Sequence, residues 1–136
     1  VLDVPDVEFV NLQVGSDGTE LANISSDYTI TDASAALTDF SHTAAWIAHL
    51  DLVISVDTAT APLAAAMGRP TWLLISPAND WRWMTNRSDS PWYPTVQIFR
   101  ASKVRIWTDV MHKVAQALAE RVSKGDLLDQ SGASDE

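Results

Sequence analysis

Two apolar runs separated by a short small-residue segment limit the fold of this chain more than any other feature. The first run, Leu52-Val53-Ile54-Ser55-Val56, ends in Asp57-Thr58-Ala59-Thr60. Ala61-Pro62-Leu63-Ala64-Ala65-Ala66-Met67 follows and is closed by Gly68. Arg69-Pro70 then leads into the second run, Thr71-Trp72-Leu73-Leu74-Ile75. Continuous apolar strands belong to parallel sheets covered on both faces, whereas strands with one wet face alternate. Parallel neighbours need a crossover, and the segment between the runs is suited to a helical one. Proline is tolerated in the first helical turn, where its missing N–H is not required. The helix is therefore predicted to begin near Thr60, leaving the amides of residues 58–61 outside helical bonding. The predicted fold class is α/β, a parallel sheet with helices on both faces.

Further strands are predicted at residues 7–13 and 95–99, with a weaker one at Tyr28-Thr29-Ile30. Val14-Gly15-Ser16-Asp17-Gly18 is rich in turn formers and ends the first strand. Residues 19–24 suit a short helix, and Ser41 is placed to cap another that carries Ala44, Ile47 and Ala48 on one face. Trp107, Val110, Met111, Val114 and Leu118 share the spacing of one helical face. Residues 76–94 form a long connection, and a loop of that length within a compact domain is usually functional. Four of the six tryptophans (Trp72, Trp81, Trp83 and Trp92) lie in or near it. The polar, acidic residues 125–136 are expected to be a disordered tail, with residues 1–124 as one domain. The absence of Met at Val1 and the early first strand suggest a domain taken from a longer chain.

Composition narrows the function. A length of 136 residues suffices for one core, and a net charge of −9 disfavours nucleic acid and anionic membrane surfaces. No run is long enough for a membrane span, and none has the form of a signal peptide. The lack of cysteine removes disulfides and thiolate metal sites and is compatible with a cytoplasmic location. His42, His49 and His112 lack ligand spacing, so no metal or other cofactor is expected.

In doubly wound sheets, ligands bind beyond the carboxyl ends of the strands, where helix starts present unbonded amides. Asp57, Thr58, Ala59 and Thr60 occupy that position, which suggests a pocket for an anionic small molecule such as a nucleotide. Asp57 can accept hydrogen bonds from sugar hydroxyls or simply brace the turn, and the amides of residues 58–60 can hold a diphosphate. Arg82, between Trp81 and Trp83, has the forked charge that suits a diphosphate, although a structural salt bridge would use it equally well. Asp17 and Glu20 follow the first strand, where an acid often meets a ribose. Gly15-Ser16-Asp17-Gly18 is not a G-x-G-x-x-G, which argues against a dinucleotide oxidoreductase.

Asp39-Phe40-Ser41-His42-Thr43-Ala44-Ala45, the segment from Leu50 to Ala59, and Gly68-Arg69-Pro70-Thr71-Trp72 together resemble the C-terminal lobe of the heptosyltransferase-like glycosyltransferases. Asp80-Trp81-Arg82-Trp83 and Asp89-Ser90-Pro91-Trp92-Tyr93-Pro94 resemble the branch often linked to tetratricopeptide repeats. The resemblance implies a Rossmann-like lobe, the C-terminal half of a GT-B fold, truncated at its N-terminal side. It further implies inverting, metal-independent transfer from a nucleoside-diphosphate sugar. Asp57 would then meet the donor sugar, Thr58 and Ala59 the diphosphate, and Asp17 or Glu20 the ribose. The family's usual histidine is replaced by Pro62. The catalytic base is expected in a missing N-terminal lobe, so this chain alone is expected to be inactive and to self-associate through its uncovered surface. A sugar-nucleotide epimerase and a non-catalytic interaction module of the same fold are the rival readings.

Overall fold

The computed structural model describes residues 1–15, 21, 23–24, 27–78 and 81–125. Strand β1 (Phe9–Asn11) pairs in parallel with β2 (Ile30–Asp32), with Phe9 opposite Ile30. A 3-10 turn at Ser34–Ala36 and helix α1 (Phe40–Ala48) lead to β3 (Val53–Val56). Helix α2 (Thr60–Ala66) connects β3 to β4 (Thr71–Ile75), and residues 76–95 connect β4 to β5 (Val96–Arg100). Helix α3 (Thr108–Ser123) follows. Strands β3, β4 and β5 form one parallel sheet in that order, with Val53 opposite Thr71 and Thr71 opposite Val96. The α/β reading and the parallel pairing of the two apolar runs are thus found in the structure.

All five residues of β4 are buried, and the strand's alternation divides them between two cores. Leu73 and Ile75 pack with Ala61 and Ala65 of α2, with Val96 and Ile98, and with Trp83. Trp72 and Leu74 pack on the other side with Phe99 and with Val110, Val114 and Leu118 of α3. Small side chains on α2 let the helix lie close to the sheet. A third cluster, Ile47, Val53 and Ala64, seats α1 beside α2 at the start of β3.

Helix α2 begins at Thr60, so Pro62 falls in its first turn. It ends at Gly68, whose φ of +71° is open to glycine at no steric cost. The Gly68 amide donates to the Ala65 carbonyl and the Arg69 amide to that of Ala64, a Schellman closure. The Arg69 guanidinium donates to the Ala48 carbonyl, tying the end of α2 to the end of α1.

Several predicted boundaries shift, each for a local reason. The first strand is shorter than residues 7–13 because the Asn11 side chain accepts the Gln13 amide (3.1 Å) and takes the chain out of the ladder. The second lies two residues later than predicted, since the Tyr28 hydroxyl donates to Asp3 (2.6 Å) instead of entering the sheet. The predicted face of α3 divides: Val110, Val114 and Leu118 are buried, while Met111 and Trp107 flank a surface groove with Val1 and Val4. Trp107 precedes the first helical turn, and Met111 is rotated about 100° from Val110. Of the short helix predicted at 19–24, residues 21, 23 and 24 are helical, and residues 19, 20 and 22 lie outside those described, as do residues 126–136 of the expected tail.

The long connection covers the outer edge of the sheet. Residues 88–89 lie along β5, with the Ile98 amide donating to the Ser88 carbonyl (2.7 Å) and Asp89 bridging Gln97 in antiparallel fashion. Arg100 donates to the Trp83 and Met84 carbonyls, and Met84 and Asn86 have left-handed φ values of 51° and 61°. The Arg87 guanidinium makes a two-pronged bond to the Asp89 carboxylate, at 2.9 and 2.8 Å. A covered edge cannot pair with another chain, so this segment answers a structural need first.

Trp83 is 1% exposed and Trp81 is 77% exposed, two residues apart on the same turn. Replacing Trp83 with alanine is expected to cost about 3–5 kcal/mol, the range for emptying a large aromatic site. Replacing Trp81 should stay within about 0.5 kcal/mol. Urea unfolding of both variants measures the contrast.

Candidate functional site

An open cleft of about 770 Å³ lies between the carboxyl ends of β1 and β3. Residues of β1 and its extension pack with β3 and α1, but no ladder joins β1 to β3. The chain steps outward from β1 to β2, returns through α1, and then steps the other way from β3 to β4. A crevice opens where those two directions part, and this is where doubly wound sheets bind ligands.

Three short stretches build the walls. The turn after β3 contributes Val56, Thr58, Ala59 and Thr60. The extension of β1 contributes Asn11, Gln13 and Val14, and the start of α1 contributes Asp39, Phe40 and Thr43. The structure thus brings Thr58, Ala59 and Thr60 together with residues more than forty positions earlier in the chain.

Proton accounting at the turn identifies its donors. The Thr58 amide donates to the Val56 carbonyl (2.7 Å) and the Ala61 amide to that of Thr58 (3.3 Å). Of the amides of residues 58–61, predicted to lie outside helical bonding, the tight turn uses two. The amides of Ala59 and Thr60 have no acceptor among the described residues. Ser55 Oγ donates to the Val56 carbonyl (2.8 Å), so in its 3.2 Å contact with Thr58 Oγ1 the threonine supplies the proton. At seven residues, α2 is too short for a large macrodipole, so the turn acts through individual hydrogen bonds.

At the opposite wall, Asp39 caps α1. Its Oδ1 accepts the His42 amide (3.0 Å) and the Ser41 hydroxyl (2.6 Å). Ser41 is therefore not the cap but a donor to it, because Asp39 has the extended backbone of a capping residue. The Ser41 hydroxyl and the His42 amide hold the Asp39 carboxyl below the ordinary carboxylate range. On the β1 side, the Asn11 amide donates to Asp32 (3.0 Å), which also accepts the Ser34 amide (3.0 Å). The Ser34 bond, followed by that from Asn11, lowers the Asp32 pKa.

Asp57 is exposed and does not line the cleft, although its neighbours Val56 and Thr58 do. Arg82 also does not line it. Its guanidinium lies 6.0 Å from the ring of Trp83, which packs against α2, β4 and β5. Asp17 and Glu20 lie outside the described residues. Asn11, Asp39, Phe40 and Thr43 line the cleft although none was a predicted site residue. Asp39 carried the one local signal, an aspartate three residues ahead of the amide it caps. Among the described residues no cluster of three or more His, Asp or Glu can hold a metal ion, and no helix is long and apolar enough to cross a membrane.

Comparison with known proteins bears on this geometry. A family model for glycosyltransferase family 9 (heptosyltransferase) matches residues 20–117. The chain is also similar to protein FlbA of Caulobacter vibrioides, with 35% identity over 127 residues, covering 88% of this chain and 20% of FlbA. It therefore spans about one fifth of the length of that relative.

The lowered pKa of Asp39 makes the cap pH-dependent. Between its native pKa and the unfolded value of about 3.9, the unfolded chain binds more protons, so stability rises with pH there. The cap's contribution is complete above that window and is lost as pH falls through the native pKa. Asp39→Ala should unfold at lower urea than the parent at pH 7, and the gap should narrow below pH 4, as followed by tryptophan fluorescence.

Proposed function

The chain belongs to glycosyltransferase family 9 (heptosyltransferase), and from that premise we propose that residues 1–124 are the donor-binding lobe of an inverting, metal-independent glycosyltransferase of GT-B fold. The donor is a nucleoside-diphosphate sugar. Support comes above all from the cleft at the point where the sheet's connections change direction, with the Ala59 and Thr60 amides unbonded on its wall.

In this reading the diphosphate lies against the turn of residues 58–60. The two amides donate to its oxygens, and Thr58 adds a hydroxyl once it turns from Ser55. Asp57, exposed and flanked by two cleft residues, is assigned to the hydroxyls of the donor sugar. An acceptor hydroxyl attacks the anomeric carbon from the face opposite the diphosphate, the bond from that carbon to the diphosphate oxygen breaks, and the configuration inverts. The leaving oxygen gains negative charge, which fixed amide donors stabilise without reorganising. Deprotonation of the acceptor is assigned to a general base outside residues 1–124, in a second lobe that faces the cleft. The isolated chain accordingly binds the donor without turning it over. In the longer protein, tetratricopeptide repeats and a cytoplasmic setting complete the proposal.

The test is a titration of the chain, followed by amide shifts in NMR. A nucleoside diphosphate should move the Ala59 and Thr60 resonances with a dissociation constant on the order of 1 mM, corresponding to about 4 kcal/mol. Asp57→Ala should weaken binding of the nucleotide sugar more than of the bare nucleotide. Arg82→Ala should change either affinity by less than about twofold, a difference of roughly 0.4 kcal/mol. Shifts confined to residues 81–94 would contradict the reading.

A further inference from the structure

We propose that Phe40 is the surface on which the nucleobase of the donor stacks, which makes it the residue that separates a nucleotide from a simple diphosphate at this cleft. The inference rests on the reading above that the turn of residues 58–60 takes the diphosphate, and it adds the other end of the ligand.

Phe40 is 65% exposed, and of the described residues lining the cleft it alone is aromatic. Its exposure is not that of a frayed end. Phe40 is the first residue of α1, and the Asp39 cap beside it fixes the helix start through two hydrogen bonds at Oδ1. Val14 and Val56, 63% and 47% exposed, also line the cleft. Three large apolar side chains thus remain in water around a cleft whose other wall offers amides and hydroxyls. A diphosphate alone has no use for such a rim.

A nucleoside diphosphate carries the matching pair of ends, an anionic group and a flat aromatic ring separated by a ribose. Stacking on an aromatic side chain is tolerant of base identity because every base has a π-face. Asp39 also lines the cleft and places a carboxylate next to the ring, one that can accept from a hydroxyl or amino group on the nucleoside.

The experiment titrates the chain with inorganic pyrophosphate and, separately, with adenosine, guanosine and uridine diphosphates. It follows the amides of residues 58–60 and the ring protons of Phe40 by NMR. At least one nucleotide should bind fivefold or more tighter than pyrophosphate, the low end of about 1–3 kcal/mol per stacked base, and should shift the Phe40 ring. Phe40→Ala should bring that nucleotide to within about twofold of pyrophosphate, and Phe40→Trp should keep the advantage, since either ring offers a stacking face. Because the side chain is exposed, spectra of both variants away from the cleft should match the parent. If pyrophosphate and nucleotides move residues 58–60 alike, or if Phe40→Ala keeps the nucleotide advantage, the stacking role is wrong while the donor-lobe reading stands. If neither ligand moves residues 58–60, that reading fails as well.

Discussion

Strand β4 has no exposed residue, and two of the core clusters meet across it. Leu73 and Ile75 are held by α2 and Trp83, and Trp72 and Leu74 by α3 and Phe99. Such a strand forms only when both layers are in place, because either layer alone leaves half its side chains in water. The cost of exposing them, about 25 cal/mol per Å² of apolar surface, couples the helices on the two faces. The register of β3 and β5 follows from β4, and so does the height at which the turn after β3 emerges.

That height places the cleft. Since β3 is held against β4 and α1 packs against the end of α2, the chain between β2 and β3 must return across the sheet. Its return brings Asp39 and Phe40 level with Thr58, Ala59 and Thr60. The far edge, beyond β5, is covered by the segment carrying Ser88 and Asp89. One edge of the three-stranded sheet is therefore sealed and the other opens onto the crevice. Membership of glycosyltransferase family 9 gives that asymmetry a chemical meaning.

The parts legible in the sequence were those encoded by neighbours along the chain. Two apolar runs, Pro62 in a first turn and Gly68 at a helix end each state a local preference, and the β3–α2–β4 unit obeys them. The cleft's second wall was illegible because Asn11 and Phe40 reach Thr58 only through the return of the chain, which no local pattern records. The tryptophans could not be told apart for a different reason. Trp83 and Trp81 are one residue type on one turn, and only the fold decides that the first is core and the second solvent-exposed. The first strand was overextended because Asn11 takes a backbone amide through its side chain, a competition that strand propensity does not include.

We propose the crevice between β1 and β3 as the ligand site, and a crystal structure of the chain grown with a nucleoside diphosphate tests this most directly. Phosphate oxygens are expected within hydrogen-bonding distance of the Ala59 and Thr60 amides, with the base on the Phe40 side of the cleft. Phosphates bound instead around Trp81, Arg82 and Arg87 would contradict it.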